Sequence, residues 1–303
     1  MQALANFTMR GRSQAALVAA ASAVLSLIVP LVGLISSAVV ALVTLRKGPN
    51  EGLIVGAFAG LASGLLAFAA LGSPVPAVGF ALALWLPVWV LGLVLRQTKS
   101  LDLTIQLAAL FGLLIVVAIR IQAADPAVYW AELLEPLREN LVAGGVLDAA
   151  LSEQVVAQLS LWMTGAFAAT FYFQLLLALF IGRWWQAQLY NPGGFGGEFR
   201  AFRVSSGVGY LGLALLVLVL LLDGAMWAAE LLLLLAPLFF LQGVAIAHGI
   251  VHARSANRGW LIGFYALLLL VMPHAEILVA GLGFADVWAD LRLRAGARKK
   301  RPD

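Results

Sequence analysis

The 303-residue sequence contains no cysteine, which excludes disulfides, thiolate metal sites, iron–sulfur ligation and cysteine nucleophiles. Charge is also scarce, at 11% of residues against roughly 25% in an ordinary soluble domain. That is too little to coat the two globules such a length would suggest in a soluble protein. No serine, histidine and acid constellation has a recognisable context, and no paired carboxylates face each other across a predicted cleft. No ATP-binding motif is present: the glycine-rich segment 190–203, expected as a cytoplasmic loop, lacks the Gly-x-x-x-x-Gly-Lys-Ser/Thr pattern and follows no predicted strand. Any energised transport would therefore draw on a separate ATPase or an ion gradient. The expectation is a non-enzyme without cofactor. What the chain has instead is hydrocarbon: 63% hydrophobic residues and a mean hydropathy of +0.99, the composition of a membrane protein.

Uncharged runs divide the chain into about eight apolar stretches. Ser13 to Leu45 carries no charge, and at 1.5 Å per residue one helix of that run would measure about 50 Å, beyond a hydrocarbon core of roughly 30 Å. Pro30 and Gly33 near its middle predict two shorter helices. Gly72-Ser73-Pro74-Val75-Pro76 splits Gly52 to Leu95 into a helical hairpin. Leu103 to Ile119, Leu159 to Gly182, Val204 to Leu222 and Leu231 to Val251 follow. The last stretch, Gly259 to Ala285, is broken at Pro273-His274-Ala275-Glu276 and also predicts two short helices. The fold expected is an all-α, polytopic transmembrane bundle, one integral membrane domain over residues 1–303. The first apolar run is too long for a signal peptide and is expected to stay in the mature chain.

Short cytoplasmic loops collect Lys and Arg. Arg10, Arg12, Arg46, Lys47, Arg96, Lys99, Arg183, Arg200, Arg203, Arg254 and Arg258 flank the stretches, and Arg292 to Arg301 form a basic tail at 292–303. With all of these on one side, both termini are cytoplasmic and the first and last stretches double back. The opposite side receives residues 124–158, where Asp125, Glu132, Glu135, Glu139, Asp148 and Glu153 meet one base, Arg138. There Asp125-Pro126 reads as an N-cap with proline at the first helical position, and Val128, Leu133, Leu134, Leu137 and Leu141 recur at helical spacing. This amphipathic insertion either covers the bundle as an interfacial helix or acts as a lid. Gly144-Gly145 ends it, and Ser152 is a candidate cap for the continuation.

Three segments carry a resemblance: Asn191-Pro192-Gly193-Gly194-Phe195-Gly196-Gly197-Glu198-Phe199-Arg200, Leu241-Gln242-Gly243-Val244-Ala245-Ile246-Ala247-His248, and Gly283-Phe284-Ala285-Asp286-Val287-Trp288-Ala289-Asp290-Leu291-Arg292. In these the chain resembles the YybS-like family of predicted bacterial inner-membrane proteins, over most of its length. That family is grouped with the S components of energy-coupling-factor vitamin transporters and with the morphogenesis protein MreD. The resemblance implies an S-component-like core in a bacterial inner membrane that either binds a small molecule or docks other membrane proteins. In S components the first helix tends to carry an Ala-x-x-x-Ala face for the coupling subunit. Ala15, Ala19 and Ala23 have that spacing, which also serves ordinary helix packing.

Few side chains can carry chemistry. Gln106, Gln174 and Gln242 lie inside apolar stretches, where an unpartnered amide costs several kcal/mol, so each must face protein, water or ligand. His248 and His252 share a helix face, and His274 and Glu276 follow in the next stretch. Imidazole and carboxylate at such spacing suit a divalent metal, but no His-Glu-x-x-His pattern exists and no metal site is assigned. Glu276 beside the break at Pro273 is a candidate ligand group, because a broken helix exposes backbone groups. Arg120 near the end of its stretch either snorkels or pairs with Asp125. Asp286 and Asp290, four apart and followed by Arg292 and Arg294, read as intrahelical ion pairs or as a docking face.

Two functions remain open. One is a binding or transport component for an apolar or amphipathic solute, with a cavity near Gln106, Gln174, Gln242, His248, His274 and Glu276, and a transport coupling subunit as partner. The other is a non-enzymatic scaffold for envelope-assembly proteins, using Phe199, Arg200, Asp286, Asp290 and the tail. Both place the chain among membrane lipids, which the basic tail can also contact, and neither calls for nucleic acid.

Overall fold

The computed structural model describes residues 1–257 and 259–297. Arg258, Arg298, Lys299, Lys300 and Arg301, used in the orientation argument, lie outside the described residues. Among those described there is no strand. The helices are α1 (Gln2–Met9), α2 (Arg12–Leu25), α3 (Gly33–Lys47), α4 (Pro49–Leu71), α5 (Val75–Phe80), α6 (Leu86–Thr98), α7 (Leu101–Gln122), α8 (Pro126–Ala143), α9 (Ala149–Tyr190), α10 (Gly194–Ala201), α11 (Ser206–Leu221), α12 (Met226–Ala253), α13 (Gly259–Leu270), α14 (His274–Ala289) and α15 (Leu291–Ala297).

Among the described residues six helical segments are long and apolar enough to cross a membrane, and seven if α10 and α11, bent by 49°, form one span. The eight apolar stretches thus yield fewer full crossings: α11, with 16 residues, passes only together with α10, and the last stretch is divided into α13 and α14, of 12 and 16 residues. The first and last stretches break where their prolines stand: Pro30 opens a 3-10 turn at Pro30–Val32 and Pro273 caps α14. Proline removes a backbone donor, and the helix restarts beyond it. The same chemistry shapes the segment before α6, where Ala81–Trp85 winds as a π turn just ahead of Pro87. The segment 190–203, expected as a loop, instead winds α10 after Gly193 in the left-handed region at φ +85°.

Contacts divide the chain into two compact units: Met1–Ala108 with Phe173–Arg203, and Ala109–Tyr172 with Val204–Asp303. In the first unit α2 folds back along α3 and α4. Ser36 Oγ donates to the Ala19 carbonyl (2.7 Å) and accepts from Trp85 Nε1 (2.9 Å), joining α2, α3 and the π turn. Gly182 of α9 crosses α3 so closely that a Cβ there would lie 2.7 Å from Ala41 Cβ and 2.9 Å from the Ala38 carbonyl.

In the second unit α14 lies along α12, backbone against backbone. A Cβ at Gly283 would stand 1.8 Å from the Phe239 carbonyl, and one at Gly243 would stand 2.1 Å from the Val279 carbonyl. With little hydrophobic drive between helices in lipid, such close approach is what van der Waals packing requires. α8 starts as its sequence predicts, with Asp125 accepting from the Ala127 and Val128 amides and Pro126 in the first turn. It is pinned to α9 by Trp130 Nε1 donating to Thr164 Oγ1 (2.9 Å). The cap of α9 corrects the expectation for Ser152: Asp148 accepts from the Leu151 amide (2.7 Å), whereas the Ser152 hydroxyl donates to the Ala149 carbonyl. The residue before the first helical turn has the reach to its free N–H groups, and a residue already inside the turn does not.

Gly283→Ala is expected to force α12 and α14 apart and cost about 3 kcal/mol, the upper end of ordinary overpacking. A thermal unfolding midpoint in detergent reads the loss. Gly281→Ala, whose Cβ meets nothing within 4 Å, should leave the midpoint in place.

Candidate functional site

In the first unit the Gly52, Gly56 and Gly60 face of α4 opposes the π turn and the start of α6 across a groove of about 270 Å³. Its lining includes Val40, Leu53, Ala81, Trp85, Leu86 and Trp89. Glycine at every fourth position keeps side chains off one strip of α4; its first position is covered, since a Cβ at Gly52 would stand 2.0 Å from Thr44 Oγ1 and 3.0 Å from Trp89 Cδ1, and the strip is open beyond it. A Cβ at Gly56 would meet nothing within 4 Å, and one at Gly60 would approach only the Trp85 ring, at 3.6 Å. Both indole N–H groups are used elsewhere, Trp85 on Ser36 Oγ and Trp89 on the Pro49 carbonyl (2.9 Å). The rings therefore offer the groove carbon faces, and its chemistry suits hydrocarbon. Sequence reasoning passed over this site, although the four-residue glycine spacing and Trp85 and Trp89 four apart were legible signals.

The second unit holds a buried polar cluster. Asp286 is 1% exposed. Its Oδ2 accepts from Gln242 Nε2 (3.0 Å) and Arg292 Nη2 (3.0 Å), while Oδ1 accepts from the Leu291 amide (2.6 Å). Gln242 Oε1 in turn accepts from the Val204 amide (2.7 Å). One carboxylate and one amide thus tie together the entry to α11, α12, α14 and α15. Asp290 stands at φ +46° and ends α14, so Asp286 and Asp290 do not continue down one helix face. The expected ion pair forms across the break, between Asp286 and Arg292. Asp286 is no docking residue, because the chain's own groups surround it.

A second pair lies nearer the start of α12. Arg120 of α7 donates to Glu230 of α12 (2.5 Å), with the Glu230 side chain 5% exposed. This corrects the pairing expected with Asp125, whose carboxylate is engaged in capping α8. Gly165 of α9 makes room for the pair's helix, since a Cβ there would stand 2.9 Å from the Glu230 backbone. Glu230 had served only to separate two apolar runs, and nothing local marks it as a partner for a residue 110 positions away.

A further cleft, about 480 Å³, lies between α8 and α9 and is lined by Ala131, Glu135, Arg138, Glu153, Val156 and Ala157. Arg138 donates to both Glu135 oxygens, and this holds the Glu135 carboxyl below the usual carboxylate range.

The other expected site residues scatter. Gln106 donates to the Asp102 carbonyl one turn back (2.9 Å), and Gln174 is half-buried on α9. His248 meets the Tyr265 hydroxyl (2.8 Å), His274 is exposed and Glu276 is half-buried. Neither cleft is lined by Gln106, Gln174, Gln242, His248, His274 or Glu276. Among the described residues no group of three or more His, Asp or Glu side chains is arranged to hold a metal ion. Ala15, Ala19 and Ala23 are at most 1% exposed: their small side chains let α2 approach α3 and α4, which removes that face from any coupling subunit. Phe199 packs with Phe180 and Phe195 (ring centroids 5.7 and 6.1 Å apart), and Glu198 beside it is paired with Arg183. Arg200 is half-buried on the same helix. Comparison with protein-family models, curated proteins and solved structures gives no match.

Asp286→Ala should cost about 3 kcal/mol or more, the usual penalty for leaving one partner of a buried pair alone. Adding Arg292→Met should recover part of it, and unfolding midpoints of the single and double variants test this. Glu135 should titrate below an ordinary glutamate in an NMR pH series, its ion pair complete at neutral pH and lost as pH falls through that lowered value. Arg138→Gln should return it to the ordinary range.

Proposed function

We propose that this membrane protein is a binding component for an apolar or amphipathic solute, S-component-like in role, and that the groove between α4 and α6 is where the solute lies. The observation that carries the reading is the open face at Gly56 and Gly60 beside two tryptophan rings whose N–H groups are already satisfied. Packed interiors leave few such spaces empty, and a lateral, carbon-lined groove on a spanning helix suits a solute that reaches it through the bilayer. The reading includes a bacterial inner-membrane location with both termini cytoplasmic, YybS-like membership, and a non-catalytic role without cofactor. A coupling subunit, if one serves it, would engage a face other than Ala15, Ala19 and Ala23.

A second reading, a scaffold for envelope-assembly proteins, is favoured by the second unit, where Gln242 and Arg292 both donate to Asp286 and hold its helices together.

A photoreactive long-chain fatty acid added to membranes containing the protein should label peptides of α4 and α6. Gly56→Leu, at a position where a Cβ would meet nothing within 4 Å, puts a side chain into the groove and should reduce labelling of these peptides to background. Gly79→Leu, on α5 with open space around its Cβ, should not. Labelling that is absent from α4 and α6, or indifferent to Gly56→Leu, rejects the groove as the solute site.

A further inference from the structure

One end of the groove runs into a turn of very different chemistry. Trp89, which lines the groove, donates to the Pro49 carbonyl, and Gly52, the groove's first lining residue, directly follows Glu51. Around this α3–α4 turn the cations gather. Arg96 donates to the carbonyls of Leu45 (2.5 Å) and Arg46 (3.2 Å), covering the end of α3. The Arg46 guanidinium lies 3.9 Å from the Tyr190 ring centroid. Arg12 meets Glu51 through two hydrogen bonds (2.8 and 2.5 Å), and Lys47 is exposed within electrostatic reach of the same carboxylate. Four cations and one carboxylate thus gather around the turn at the mouth of an apolar groove, with Arg12 and Lys47 acting on the carboxylate. From Gly52 to Gly60 the groove runs about 12 Å along α4, at 1.5 Å per residue.

We propose that the groove holds an acyl chain of an anionic phospholipid from the surrounding bilayer, with the lipid phosphate over the basic turn formed by Arg12, Arg46 and Lys47. The proposal rests on the groove being the solute site and names what occupies it. The division of chemistry carries the argument. Carbon faces along α4 and the π turn accept hydrocarbon and cannot choose a headgroup, whereas the turn is positive at the one end where a headgroup would stand. Each basic residue near the surface raises the affinity for an anionic lipid by roughly fivefold. A second copy of the chain laid along α4 in the same orientation would bring an equally basic turn to the same level, and like charges would oppose it.

Native mass spectrometry of the full-length protein, titrated in detergent with dioleoylphosphatidylglycerol or dioleoylphosphatidylcholine, tests both parts. The first phosphatidylglycerol adduct should be retained roughly 25-fold better than the phosphatidylcholine adduct, about fivefold for each of the two positive charges by which Arg12, Arg46 and Lys47 exceed Glu51. Lys47→Gln should lower that preference roughly fivefold and Lys47→Arg should keep it. Gly56→Leu should remove the first adduct of either lipid, and Gly79→Leu should remove neither. Equal retention of the two lipids, still lost in Gly56→Leu, overturns the headgroup assignment and leaves the groove as the solute site. Adducts indifferent to Gly56→Leu, or a dimer that Gly56→Leu dissolves with no lipid retained, overturn both together.

Discussion

A polar group in hydrocarbon has no water to fall back on, so each must find its partner within the chain or at the ends of the helices. Within the second unit this requirement organises the helices. A buried carboxyl group needs donors, and three converge on Asp286, from Gln242, Arg292 and the Leu291 amide. Meeting that need fixes where α14 ends, where α15 begins, and how α12 lies against both. The amide of Gln242 is then already oriented, and its oxygen takes the Val204 N–H that opens the way into α11. The Arg120 and Glu230 pair applies the same rule to α7 and α12.

Shape does the rest. Between apolar helices in an apolar solvent, close contact is the main gain available, and it is largest where side chains are smallest. Gly243 against Val279 and Gly283 against Phe239 bring two backbones together in the second unit, and Gly182 against Ala38 and Ala41 does so in the first. The alanine face of α2 belongs to the same economy of space. The alanine spacing that resembles a docking signature is used inside the unit, because a strip that lets a partner approach closely lets the chain's own next helix approach as well.

Against this background the strip on α4 is the exception. Gly56 has small-residue character, yet no side chain of the chain moves in to meet it. The π turn ahead of Pro87 sets Trp85 and Trp89 opposite, and their N–H groups are bound behind the rings. Small residues ordinarily draw a helix in, and here they leave a groove, with basic groups collected at one end.

Composition and uncharged run length determined the class of this protein: long apolar helices, no strand among the described residues, and breaks at Pro30 and Pro273. These features were legible because helix length, proline's missing donor and the Asp125-Pro126 cap act within a few residues of one another. The site was not legible in the same way. Gln242 could be singled out as a polar residue in an apolar run, and Asp286 as one of an ion pair or a docking face, but that they face each other depended on a contact 44 positions apart. Glu230 looked like loop punctuation until α12 brought it to Arg120. Only tertiary structure decides which buried polar groups satisfy one another and which small-residue strip remains uncovered, because both depend on which helices become neighbours, and periodicity along a single helix carries no record of what stands opposite it.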